Sequence, residues 1–152
     1  MKKITLAFLL SLLFVATGCA KTNSSYNHTL KVGSENLAVE LASTPAQRDL
    51  GLSGRNTMGE NQGMLFIFRP NETLYPAFWM KGMKFDLDFI WVQNGRVVGI
   101  TPQAPSQEKL NLPDSQLPTY SPPQPITWVV EVNAGFSQRH HIQIGDQVTL
   151  KN

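Results

Sequence analysis

The chain is 152 residues long, with 13 Lys+Arg against 11 Asp+Glu, a formal net charge of +2 and a single cysteine. That length suits one domain with a real core, one cysteine excludes a disulfide framework, and the lack of any long basic run excludes the electrostatic footprint of a nucleic-acid binder. The first element is Met1-Lys2-Lys3 followed by an apolar stretch from Ile4 to Ala16. It is too short to cross a bilayer, which takes about 20 apolar residues, and its positive start and small-residue end are those of a secretory signal peptide.

Ala16-Thr17-Gly18-Cys19 resembles the lipobox of bacterial lipoprotein precursors. The resemblance implies removal of a leader at 1–18 and acylation, by palmitate-like chains, of Cys19. Lipidation would also account for a lone cysteine in an exported chain, and each buried acyl methylene contributes about 0.8 kcal/mol of anchoring. Lys2 and Lys3 leave with the leader, so the mature chain has 11 Lys+Arg against 11 Asp+Glu, a net charge of zero. Ala20 stands where, in lipoproteins of enteric-type bacteria, an aspartate would retain the protein in the inner membrane. In a Gram-negative host the resemblance therefore implies the outer membrane, facing the periplasm. The polar, aperiodic segment 19–28 reads as a flexible tether of at most about 30 Å.

Residues 29–152 read as a single β domain. Leu30–Val32 and Leu37–Leu41 flank the turn residues Gly33-Ser34. Thr44-Pro45-Ala46-Gln47 predicts a helix start, with Thr44 as cap, Pro45 at the first helical position and Gln47 closing a capping box. Gly51 and Gly54 stop that helix within two turns. Gly63–Phe68 and Ala77–Met80 are short apolar runs, and Leu87–Gln93 meets Arg96–Ile100 across Asn94-Gly95, a strong hairpin signal. Pro105–Pro125 is proline-rich and aperiodic and reads as a surface loop held by Leu110, Leu112 and Tyr120. Ile126–Val132 and Ile142–Leu150 complete the strands. The expected class is mainly β, a compact sandwich or barrel with one short helix.

Several motifs recur in an order that resembles the family known as domain of unknown function 192. They are Arg48-x-x-Gly51-Leu52-x-x-Arg55, Gly63-Met64-Leu65-Phe66-x-Phe68, Phe78-Trp79-Met80-Lys81, Leu87-Asp88, Glu131-Val132-x-Ala134-Gly135 and Gly145-Asp146. The resemblance spans about Leu37 to Leu150 and implies a compact β fold without an assigned reaction. Ser53 replaces the methionine usual there, and Gly82-Met83 replaces the usual Asn-Thr.

No template of nucleophilic catalysis is met, since no cysteine remains free and no Gly-x-Ser-x-Gly elbow is present. Gly51–Arg55 lacks the lysine of a phosphate loop. Asp86 and Asp88 share one strand face and would serve a hydrolase or a hard cation. With no third carboxylate at a ligand spacing, the simpler reading puts Asp86 toward solvent and Asp88 on a buried donor. Adjacent His140 and His141 diverge, so no metal site is expected. Met58, Met64, Met80 and Met83 read as core rather than as a copper site. Trp79, Trp91 and Trp128 are expected inside, with Tyr75 and Tyr120 as exposed rings that could meet envelope polysaccharide. Phe89 and Trp91 are expected to be buried against Leu65, Phe66 or Trp128.

Asp88 and Glu131 each place a charge inside an apolar strand, which is costly unless paired. The economical expectation is a polar cluster in which Arg55 grips one of them through its planar fork. The resulting functional expectation is a membrane-anchored envelope lipoprotein that binds a small ligand or a partner without catalysis and without a cofactor. The alternative is a hydrolase acting on envelope carbohydrate through Asp88, Glu131 or Asp86.

Overall fold

The computed structural model describes residues 26–69, 72 and 75–151. The leader, Cys19 and the tether up to residue 25 lie outside the described residues. Strands β1 (His28–Val32) and β2 (Glu35–Ala42) form a hairpin, and helix α1 (Pro45–Leu50) follows. Then come β3 (Gln62–Ile67), the two-residue β4 (Phe78–Trp79), β5 (Leu87–Gln93) and β6 (Arg96–Ala104). The chain ends with α2 (Gln107–Leu110), β7 (Thr119–Tyr120), β8 (Trp128–Asn133), α3 (Phe136–Arg139) and β9 (Val148–Lys151).

Seven strands make one sheet in the order β6-β5-β8-β3-β2-β1-β9, curled into a half-barrel. Only the β2–β3 pair is parallel among the named pairs of this sheet, and its crossover carries α1. The edge strands approach each other through an Arg96–Gln147 bridge and the Val97 N–H to Asp146 carbonyl bond of 2.9 Å. The fold is thus mainly β, as expected.

Local signals explain where elements begin and turn. Thr44 Oγ1 accepts from the Gln47 N–H and Gln47 Oε1 accepts from the Thr44 N–H, so the capping box forms. Asn94 and Gly95 adopt φ of 51° and 69°, the two positive values that a tight hairpin turn requires. The proline-rich stretch is more ordered than expected. Its backbone makes α2, a 3-10 turn at Asp114–Gln116 and β7, which pairs with β4 through Phe78–Tyr120. With α1 and α3, α2 makes three short α-helices among the described residues, where the sequence signalled one. His28 and Tyr26 are also part of the folded domain rather than of a free tether, since His28 opens β1 and Tyr26 bonds to Arg55.

Because side chains alternate along each strand, the sheet has two apolar faces. One, inside the curl, gathers Leu30, Leu37, Val39, Leu65, Ile90, Val92, Val130, Val132 and Val148, with Phe136 from α3. The other gathers Met64, Phe66, Leu87, Phe89, Trp91 and Val129, covered by Leu52, Met80, Met83 and Ile126 from the loops. Phe89 and Trp91 are 0% and 1% exposed, packed in the cluster that holds Phe66, while Leu65 belongs to the opposite face. Three of the four named methionines, Met64, Met80 and Met83, fill this core.

Candidate functional site

The cross-strand register runs Glu40–Met64–Glu131–Phe89 through β2, β3, β8 and β5, so these side chains share the outer face of the sheet. Asp88 is paired with Val132 and so points to the inner face. Asp88 and Glu131 therefore lie on opposite sides of the sheet, and the expected cluster does not form. The cause is the two-residue period of strands, where an offset of one in register reverses the face.

Each of the three residues has its own role. Asp88, fully buried, accepts from the N–H groups of Gln103 (2.8 Å), Gly135 (2.9 Å) and Ser137 (2.9 Å). It ties the start of α3 and the end of β6 to β5, the buried-donor role the sequence suggested. Arg55 forks Glu40 instead, at 2.5 and 2.9 Å, and donates to Tyr26 Oη at 3.1 Å. That ion pair holds the Arg55 guanidinium pKa up, and burial beside it raises that of Tyr26. Glu131, 5% exposed, receives no hydrogen bond among the described residues and feels Arg55 only through its charge. Burial wins over that attraction and pushes its carboxyl pKa to about 8.

Asp86 lies elsewhere. It accepts from the Ser106 N–H at 2.8 Å and from Lys109 Nζ at 2.7 Å. Burial would raise its pKa, but these partners outweigh it and hold the carboxylate below its ordinary range.

Glu131 forms part of the wall of a cleft of about 340 Å³, within the size range of small-molecule sites. The last turn of α1 and the loop after it supply Arg48, Asp49, Leu50, Leu52 and Ser53. Phe66 and Phe68 come from β3 and its continuation, and Phe78, Trp79, Lys81 and Met83 from the β4 segment. Phe78 stands edge-on to Phe66 and Phe68, with centroids 5.0 and 6.4 Å apart.

Arg48 and Lys81, the cations of the cleft among the described residues, are already engaged. Arg48 bonds to the carbonyls of Ser43 and Ile67 and to Glu72, and lies 5.0 Å from the Phe68 ring centre. Lys81 pairs with Asp114 at 2.8 Å and lies over Trp79 at 5.1 Å. The wall itself is fixed where Gly54 N–H bonds to the Gly82 carbonyl and Gln107 accepts from Gly82 N–H. Gly82 has φ of 69° and its missing Cβ leaves the space that Ser53 Oγ takes. The two departures from the family pattern thus touch each other.

Sequence reasoning missed Glu40, Asp49 and the aromatic wall. Glu40 sat in a strand pattern whose partner register is written nowhere locally. Trp79, expected inside, is 48% exposed, while Tyr120, expected outside, is half-buried on Phe89 at 5.4 Å. Tyr75 is exposed as expected. His140 is not freely solvated, since its ring lies tilted against Phe136 at 4.3 Å with Nδ1 3.3 Å from Glu35.

Fold and cleft together define a class: a single-domain β half-barrel with a buried carboxyl on a side cleft of aromatic and charged residues. The chain belongs to the family of domain of unknown function 192, described as an uncharacterized ACR, which it matches over residues 28–150. It is similar to a protein of unknown function from Novosphingobium aromaticivorans, with 28% identity and a TM-score of 0.69 over 80% of this chain and 83% of that one. It is also similar to a protein from Sinorhizobium meliloti described as a candidate transcription regulator, with 30% identity and a TM-score of 0.68 over 80% of this chain and 92% of that one. No functionally curated protein matches it.

Proposed function

We propose that this domain is a non-enzymatic small-ligand-binding module, carried on the cell envelope by lipid at Cys19. The observation that supports binding is Glu131, a largely buried carboxyl on the wall of a partly aromatic cleft, with no hydrogen-bond donor among the described residues. A few polar groups placed among aromatic and aliphatic side chains are the usual lining of a ligand site. Exposed Trp79 and Leu50, both on the cleft wall, offer apolar surface to an occupant. The membrane anchor rests on the leader and lipobox residues alone.

A carbohydrate hydrolase would need a second carboxylate facing Glu131 across a cleft. The two others named for that role are committed, Asp88 to three backbone donors and Asp86 to Ser106 and Lys109. Neither of them can pair with Glu131, which favours binding, although Asp49 also lines the cleft. A fragment screen read by amide chemical shifts tests it. Hits should move Leu52, Ser53, Phe66, Phe78 and Glu131 together, and a blank screen, or hits mapping elsewhere, would overturn the reading.

A further inference from the structure

We infer that the ligand of this cleft is an organic ammonium ion with an apolar body, its head against the Glu131 carboxylate and its body against Phe66, Phe78 and Trp79. The inference rests on the ligand-binding reading above and adds the charge and shape of the ligand.

Four charged residues help line the cleft: Arg48, Asp49, Lys81 and Glu131. Both cations are neutralised, Arg48 by Glu72 and Lys81 by Asp114. Arg55, whose charge reaches Glu131, spends its fork on Glu40. Among the described residues neither Asp49 nor Glu131 has an ion pair. Glu131 itself is neutral at pH 7, so Asp49 carries the acidic surplus until a cation displaces the Glu131 proton, and among the described residues a ligand anion would find no uncommitted cation in the cleft.

The rings point the same way. Cations are drawn to aromatic faces, and Arg48 and Lys81 already lie 5.0 and 5.1 Å from the centres of Phe68 and Trp79. A carboxylate below and rings around it are complementary to an ammonium group, which can donate the hydrogen bonds that Glu131 lacks. A neutral alcohol could donate one such bond but would leave the acidic surplus unbalanced. Since burial keeps the Glu131 carboxyl protonated at pH 7, ammonium binding should expel that proton.

Calorimetry on the purified protein with three probes of one shape tests this: 2-phenylethylammonium, 2-phenylethanol and 3-phenylpropanoate. At pH 7 the ammonium should bind at least about tenfold more tightly than the alcohol, as a charge-assisted bond requires. Its binding enthalpy should vary with buffer, reporting release of close to one proton. Glu131→Gln should cost the ammonium about tenfold more affinity than it costs the alcohol. If that variant does not fold, proton release by the wild type decides. Equal or tighter binding of the alcohol or the propanoate, with shifts at cleft amides, would overturn the ammonium assignment and leave the ligand-binding reading standing. Failure of all three probes together with a blank fragment screen would overturn both.

Discussion

Glu131 and Asp88 are both buried acids in adjacent strands, and their surroundings treat them in opposite ways. Asp88 receives three backbone N–H groups, so its charge is solvated by the fold itself. Glu131 stands in register between Met64 and Phe89, which offer no donor. Its carboxyl therefore keeps a proton up to about pH 8, against 4.5 for an ordinary glutamate. The folded protein then holds this proton more tightly than the unfolded chain does. The stabilisation is complete below about pH 4.5 and is lost as pH rises through about 8. Urea melts of wild type and Glu131→Gln across that window should show the wild type losing on the order of a few kcal/mol relative to the variant. Parallel pH profiles for the two proteins would mean that Glu131 is solvated and not confined by the cleft.

At the scale of elements, Arg55 joins the turn after α1 to strand β2 through Glu40, and Tyr26 joins the residues ahead of β1 to the same point. With side chains 31% and 12% exposed, the pair is only partly screened by water. Arg55→Met should therefore destabilise the fold by about 1–3 kcal/mol, between the values for exposed and buried pairs. A denaturation midpoint unchanged by this substitution would reduce the fork to a surface contact.

The elements themselves were legible wherever a few neighbouring residues decide them. The Thr44–Gln47 capping box, the Asn94-Gly95 turn and the alternation that buries Phe89 and Trp91 are all local. The partner of Arg55 was not legible, because it depends on the register of β2 beside β3 and of β3 beside β8. That register is set by packing between residues far apart in the chain. The same holds for β4 and β7, two-residue strands that only their mutual pairing defines. The cleft between α1 and the β4 segment was invisible for this reason, although Arg48, Phe66, Phe78 and Trp79 all belonged to motifs that carried the family resemblance.

For the whole molecule, the proposed anchor can be separated from the fold. Cys19→Ser should block acylation and the cut before residue 19, so an alkyne fatty acid fed to cells should label the wild type and miss the variant. Equal labelling of both would remove the lipid from the proposal while leaving the half-barrel and its cleft untouched.

The pairing of β1 with β9 bears on how such a chain could be delivered. Thr29 lies opposite Lys151 and Val32 opposite Val148, so the first strand of the sheet is closed by the last. A polypeptide threaded through an export channel from its amino end cannot complete this sheet until its final strand has emerged. Contacts so distant in sequence also form slowly, because the long intervening loop must first be closed. A sheet completed only by its last strand would be compatible with the export proposed for this chain, since a chain still unfolded at a channel is one that can be passed through it.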